Sequence, residues 1–383
     1  MPLFLLIRHG ESTANRRDFV RALAARAERL TPRQAYARRL AEPREANGDP
    51  VLTDNGLRQA ELLGRFWSKL LQHKATEGRV HVVVSPMTRN MQTADPLVRR
   101  LNAGLVQSLR SKPQDCATTV PAIVEADLFE IPGLFHPADA DLFFRLQASL
   151  VQNPGDDARR LRQTMADYPW RPAGLSVDEI QSKFPWCTIP DGGPLASRRH
   201  EGWYRNGCES LDDISARVVR LADRIEWMRD TLPAKDVVVL FTHGLTHNML
   251  MNLLMARQFL GEGVAEGKVA EERLSEQDSA GKNAAADARF RAVSRAAGNV
   301  FDKGWVGLNP GSNTSTSCLS WDRGAKMTVH FLHRVDHLGP ATAPDTLMRG
   351  YQFLGLGNLQ GQVKSRTHLV GYWGLRGGPD AKL

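Results

Sequence analysis

Apolar residues fall along this chain in two rhythms. Residues 3–7, 80–84 and 237–241 are short, nearly continuous apolar runs, each halted by polar or turn-forming residues, which is the pattern of buried strands. Elsewhere the period lengthens. Residues 53–72 carry apolar positions at helical spacing behind Thr53-Asp54-Asn55-Gly56, and residues 209–232 form a second amphipathic helix. Residues 315–321 and 327–332, joined by Asp322-Arg323-Gly324, read as an antiparallel pair. Strands alternating with helices predict an α/β fold: a three-layer sandwich with a mostly parallel central sheet flanked by helices.

Three stretches break both rhythms and read as large helical or irregular insertions. Residues 16–50 are crowded with arginine. Phe19, Leu23, Ala27 and Leu30 recur there at helical spacing, and Thr31-Pro32-Arg33-Gln34 offers a cap, an N1 proline and a capping-box glutamine. A basic helical hairpin closed by Pro43 and Gly48 is expected. Residues 131–205, rich in Pro, Trp and Gly, read as a long excursion over the main body. Residues 261–299 suit a solvated helical arm or a partly disordered insertion. The expectation is one catalytic domain over residues 1–383 carrying these insertions, with a flexible tail at 376–383.

Composition bounds the function classes. Of 383 residues, 42% are hydrophobic and 24% charged, which suits a globular chain with a sizeable core. Lys plus Arg is 50 against 42 for Asp plus Glu, a net +8 that favours an anionic partner. Phosphorylated metabolite, nucleic acid and membrane surface all fit that sign. Cys116, Cys187, Cys208 and Cys318 show no CxxC spacing, which excludes a disulfide scaffold and a cysteine-rich zinc site and fits a reducing compartment. Arg8, His9 and Glu11 cut the first apolar run far short of the ~20 residues of a spanning helix. The apolar stretch at 237–255 holds His243, Thr246, His247 and Asn248, so it reads as a strand running into a helix. Neither a membrane anchor nor a signal peptide is expected.

The candidate chemistry sits where strands end. Arg8-His9-Gly10-Glu11-Ser12 follows the first run, Ser85-Pro86-Met87-Thr88-Arg89 the second and Thr242-His243-Gly244 the third. In an open α/β sheet, ligands bind beyond the carboxyl ends of the strands. If the three strands are neighbours, Arg8, His9, Arg89 and His243 converge. Two arginines offer forked donors for phosphate oxygens, and two imidazoles titrate near neutrality. The residues describe a phosphate pocket containing a nucleophilic imidazole.

These residues also carry a resemblance. Leu6-Ile7-Arg8-His9-Gly10-Glu11-Ser12 with Asn15 resembles the signature of the histidine phosphatase superfamily, phosphoglycerate mutase-like branch. Leu52-Thr53-Asp54-Asn55-Gly56 with Gln59-Ala60, and Ser85-Pro86 with Arg89 and Gln92-Thr93-Ala94, are similar to its next two motifs. Gly207-Cys208-Glu209-Ser210 with Arg217 and Thr242-His243-Gly244 follow in family order. The resemblance covers about half the chain and leaves the three insertions outside it.

The resemblance implies His9 as nucleophile, forming a phosphohistidine. It implies Arg8, Arg89 and His243 as holders of the phosphoryl oxygens, and Asn15 as a further phosphate contact. Glu130 resembles the family's proton donor and later base for water. Here the sequence departs from the pattern: the family places a glycine four residues after that glutamate, and Gly133 is three after Glu130. Glu125 and Asp127 therefore stay in contention. No cofactor and no metal is implied, since the arginines and histidine supply positive charge.

Each feature also has a plainer reading. A lone Arg-His-Gly after a strand is more often structural, and it is the recurrence at three strand ends that lifts His9 above that. His247 reads as a packed or capping histidine. The arginines of 16–50 and the run Arg198-Arg199-His200 read first as solvated surface, with nucleic acid the least favoured partner. The function expected is hydrolysis of a small phosphorylated metabolite. Ala14 before Asn15, where mutases of the family carry tryptophan, weighs against the alternative of a phosphoglycerate mutase-type transfer; Trp203-Tyr204-Arg205 is closer to the broad-specificity acid phosphatase-like members. A non-catalytic binding module that keeps the fold is the remaining alternative. The chain closes on Ala381-Lys382-Leu383, which resembles the Ser-Lys-Leu type of import signal and points to a peroxisomal import receptor and a peroxisome or glycosome, with the cytoplasm otherwise.

Overall fold

The computed structural model describes residues 1–30, 48–111, 119–131, 133–144, 146, 163–164, 167–209, 211–260, 313–320, 327–334 and 336–338. The second arm of the basic hairpin, Cys116, the segment 261–299, the turn at 322–324 and the tail lie outside the described residues.

Six strands form one mixed sheet: β1 (Leu3–Arg8), β2 (Val80–Val84), β3 (Ala122–Val124), β4 (Val237–Thr242), β5 (Thr316–Ser320) and β6 (Thr328–Arg334), in spatial order β3-β2-β4-β1-β5-β6. The pairs β3–β2, β2–β4 and β4–β1 are parallel, and β5 runs antiparallel to β1 and β6. The three strands that end in candidate residues are therefore side by side.

Helices cover both faces: α1 (Thr13–Ala27), α2 (Asp54–Thr76), α3 (Thr88–Ser111), α4 (Val177–Lys183), α5 (Leu211–Thr231) and α6 (Gly244–Leu260). Strand side chains alternate between faces, and the core divides accordingly. Leu5, Ile7, Val82, Val84, Val239 and Phe241 meet Leu63, Trp67, Met91 and Leu97 of α2 and α3. Phe4, Leu6, Val83, Val238 and Leu240 meet Val218, Leu221, Leu250 and Leu254 of α5 and α6. These are the three layers expected, and the apolar runs are unbroken because both faces are covered.

The described part of 131–205 does more than pass over this body. Ile180, Phe184, Trp203 and Tyr204 join the first core cluster, and Thr188 pairs with Ile123 along the outer edge of β3. Phe135, Phe143 and Cys208 form a satellite cluster with Trp170 packed on it. Large side chains at irregular spacing bury this segment without giving it a period. Strand β3, only three residues long, is equally silent in the pattern.

Candidate active site

The tip of β1 is held from both sides. The His9 N–H donates to the Thr242 carbonyl (3.2 Å), the Thr314 N–H donates to the His9 carbonyl (3.1 Å), and the Arg8 N–H donates to Ser315 (3.0 Å). Beyond the strand, side chains take over from the ladder. The Gly10 N–H donates to Thr93 Oγ1 (3.0 Å), whose hydroxyl donates to the Arg89 carbonyl (2.6 Å). The Glu11 N–H donates to Gln59 Oε1 (2.8 Å), and the buried Glu11 carboxylate accepts from Thr53 Oγ1 (2.7 Å) and Asn55 Nδ2 (3.2 Å). The Leu52 N–H donates to Gln92 Oε1 (2.8 Å). A Cβ on Gly56 would run into the Glu11 carbonyl, so only glycine allows this approach. The threonine, glutamine and glycine positions of these motifs thus fix the loop that carries His9.

Within that frame four of the candidate side chains converge. His9 is buried, its Nδ1 lies 2.7 Å from its neighbour's carbonyl at Gly10, and Arg89 Nε donates to its Nε2 (3.2 Å). This pairing assigns the proton to Nδ1 and leaves the lone pair on Nε2. Burial first, then the positive charges of Arg89 and Arg8, hold His9 well below the ordinary imidazole value. The His243 ring stands 5.1 Å from the His9 ring, centroid to centroid. Its Nε2 shares a hydrogen bond with Ser85 Oγ (2.9 Å), and its buried Nδ1 has no hydrogen-bond partner among the described residues. Burial, Arg89 and His9, in that order, push its pKa well down too. A serine hydroxyl donating to Nε2 leaves Nδ1–H as an unspent donor beside His9. Arg8 and Arg89 are both buried, which is rare for arginine.

Glu130 reaches the same place from another direction. One of its carboxylate oxygens and a nitrogen from each of His9 and His243 lie within 4.8 Å of one another. Its Oε1 accepts from the N–H groups of Ile131 (3.1 Å) and Thr246 (3.3 Å) and lies 3.4 Å from the Thr246 hydroxyl. Thr246 sits in the first turn of α6, where main-chain N–H groups have no helical partner and can hold that oxygen in place. The loop itself hangs on Arg217. This buried guanidinium makes a forked pair with Glu209 (2.7 and 2.6 Å), donates to the carbonyls of Asp127 (2.9 Å) and Phe129 (3.0 Å), and lies 3.8 Å over the Phe129 ring. Gly133 closes the turn through its N–H to the Glu130 carbonyl (2.8 Å) at φ +104°, a backbone angle suited to glycine.

The two competing carboxylates face elsewhere. Asp127 is forked on Arg220 at 2.8 Å, and Glu125 accepts from the Asp127 N–H (3.2 Å) at the edge of a small apolar pocket. Asn15 lies at the start of α1, where its Oδ1 accepts from the Ser12 N–H (3.2 Å) and hydroxyl (3.0 Å). It therefore braces the loop after His9. His247 packs one turn into α6 and is buried.

One contributor was not singled out in the sequence. Asp49 accepts from the Thr88 N–H (3.2 Å) and hydroxyl (2.7 Å), capping α3 one residue before Arg89. Burial pushes its pKa up, against those hydrogen bonds. No local signal could reveal it, because cap and helix are 39 positions apart in the chain.

Chemically, His9, Glu130 and His243 form a group that could ligate a metal. The two buried guanidiniums beside them favour an anion instead.

Residues 4–111 match the family model described as histidine phosphatase superfamily (branch 1). A search among curated proteins gave no match. Among solved structures, the chain is similar to a mycobacterial glucosyl-3-phosphoglycerate phosphatase at 16% identity and TM-score 0.34, covering 87% of this chain and 99% of that one. It is similar to the alpha-ribazole phosphatase of Shigella flexneri at 14% identity and TM-score 0.35, covering 87% and 96%. A third is the ecdysone phosphate phosphatase of Bombix mori in complex with tungstate, at 13% identity and TM-score 0.36, covering 86% and 92%.

Proposed function

From the match of residues 4–111 to the histidine phosphatase superfamily (branch 1) model, we propose that this protein is a metal-independent phosphomonoesterase of that superfamily, acting on a small phosphorylated metabolite through a phosphohistidine on His9. The observation that carries the reading is the fixed tautomer of His9. With Nδ1–H on the Gly10 carbonyl, Nε2 presents a lone pair beside Arg89, Glu130 and His243.

The reaction has two steps. His9 Nε2 attacks phosphorus, the bond to the leaving oxygen breaks, and the protonated Glu130 carboxyl gives its proton to that oxygen. Water then gives a proton to the Glu130 carboxylate and attacks phosphorus. The P–N bond breaks, orthophosphate leaves, and His9 and Glu130 return to their starting states. Arg8, Arg89 and His243 Nδ1–H stabilise the charge that builds on the phosphoryl oxygens in both steps. Asn15 supports the loop and is the further phosphate contact. The burial that keeps His9 neutral keeps Nε2 unprotonated, and Arg89 Nε–H must leave that lone pair for a phosphoryl oxygen before the attack.

The test is turnover of p-nitrophenyl phosphate by His9→Ala. Loss of all turnover above the uncatalysed rate, with orthophosphate as the product of the parent protein, is expected. Substantial residual activity in the variant contradicts the covalent route, and phosphate recovered on a second hydroxyl of the substrate assigns the chain to mutase chemistry instead.

The Ala381-Lys382-Leu383 sequence is proposed as a peroxisomal address wherever it stands as a free C-terminus. Residues 372–383 fused behind a fluorescent protein should give organellar puncta that disappear without Leu383. Diffuse signal from both contradicts it. Among the described residues no helix is long and apolar enough to cross a membrane.

A further inference from the structure

A second concentration of positive charge lies in the middle segment, and none of its residues belongs to the His9 pocket. Ser197, Arg198, Arg199, His200, Glu201 and Arg205 wall a cavity of about 590 Å³. That size falls within the range of small-molecule sites. The charges along the wall do not cancel. Glu201 is committed to Arg205 as an ion pair, and His200 faces Asp178 at 2.9 Å. Among the described residues the Arg198 and Arg199 guanidiniums make no hydrogen bond or ion pair, so both are left for a ligand.

The geometry is set by the backbone. The Val177 and Asp178 N–H groups donate to the carbonyls of Arg198 and Arg199 (3.2 Å each), which ties this loop to the start of α4. A few residues on, Trp203 donates to the Leu175 carbonyl (3.2 Å) and Tyr204 pairs with Ala173. Arg198 is half-buried, and burial together with the like charge of Arg205 holds its pKa below the usual guanidinium value. An anion between these side chains would relieve that repulsion and accept forked donors from each. The volume far exceeds one phosphate. Neither Phe, Tyr nor Trp lines it, its one imidazole, His200, is held by Asp178, and Ala196 is its one apolar residue, so the wall favours a polar body between the charges.

We propose that this cavity is a second anion site, distinct from the His9 pocket, for a small ligand with two phosphate groups on a polar, non-aromatic body, the sugar bisphosphate class. Arg198 and Arg199 take one phosphate, and the other displaces Glu201 from Arg205. Ser197 and His200 are placed for hydroxyl groups.

The test is calorimetric titration of the full-length His9→Ala protein with fructose 1,6-bisphosphate, with fructose as the uncharged control. Binding of the bisphosphate and none of fructose is expected. Adding Arg198→Ser and Arg199→Ser should weaken binding by about tenfold or more, because two charge-assisted contacts are lost. Adding Arg89→Ala instead should leave it unchanged. Glu201→Gln should tighten it, since Arg205 is then released to the ligand, and misfolding cannot mimic a gain. Loss of affinity with Arg89→Ala rather than with the Arg198/Arg199 pair, or no binding at millimolar concentration, overturns the proposal. Hydrolysis of p-nitrophenyl phosphate by Arg198→Ser/Arg199→Ser in the otherwise parental chain should match the parent. Failure of that hydrolysis in the parent would count against the phosphatase reading and not against this site.

Discussion

The two halves of the proposed catalytic pocket are built by different means. His9 stands at the end of a central strand, between two hydrogen-bonded neighbours, with Thr93, Gln59 and Gln92 extending the ladder past the strand end. Glu130 stands on irregular chain, and a single buried guanidinium, Arg217, holds the carbonyls on which that loop rests. The first half inherits its geometry from sheet topology. The second depends on one side chain with a distant partner. The proposed nucleophile rides on a strand end continued by several short side-chain contacts, whereas a carboxyl aimed at it from across the pocket needs a dedicated brace.

Removing the brace should have the largest effect. Breaking a buried ion pair by deleting one partner costs about 3–5 kcal/mol, because the other charge is left uncompensated. Arg217→Ala should lose stability on that scale in urea unfolding, and it should impair hydrolysis of alkyl phosphates more than of activated aryl phosphates as Glu130 drifts. A loss below about 1 kcal/mol, typical of an exposed pair, would erase the distinction between the two halves.

Gly56→Ala probes the other half. The added Cβ must displace the Glu11 carbonyl, and overpacking of this kind costs about 1–3 kcal/mol. Here alkyl and aryl phosphates should slow together, since the loop behind His9 moves and Glu130 does not. Selective loss on alkyl phosphates would show that the two halves are not separable.

A smaller effect comes from pH. The native pKa values of His9 and His243 lie below the unfolded value of roughly 6.5. Below that pH the unfolded chain takes up protons that the folded protein refuses, so stability falls as pH falls, by about 1.4 kcal/mol per pH unit for each histidine until its native pKa is reached. Asp49, Glu125 and Glu209, whose pKa values burial raises, act in the opposite sense nearer the carboxylate range. The contribution of His9 is therefore read as a difference. His9→Gln should flatten the slope between pH 6.5 and 5.5 in urea unfolding relative to the parent protein. An unchanged slope would mean that His9 is not held neutral.

The same contrast governs what the sequence reveals. Strand β2 is legible to the residue at 80–84, and α2 (Asp54–Thr76) begins one residue into the 53–72 stretch expected, because period is a local signal. Arg8, His9, Arg89 and His243 are legible because three neighbouring strands end in them. Glu130 is named only through resemblance, and its place beside His9 and His243, with Asp127 on Arg220, is visible only in the structure. Asp49 and the core role of Trp203 and Tyr204 leave no periodic trace, since contacts across many residues are invisible to a local pattern.

The covalent step is tested most directly by trapping it. Glu130→Gln removes the base that activates water but leaves His9 and the arginines in place. Mixed with p-nitrophenyl phosphate, whose leaving group needs little protonation, the full-length variant should accumulate one phosphoryl group. Rapid quench and intact-mass measurement should show that single addition, acid-labile and mapped to His9, at a level above that of the parent protein. Unmodified protein throughout turnover, or a phosphoryl group on any other residue, would contradict the account.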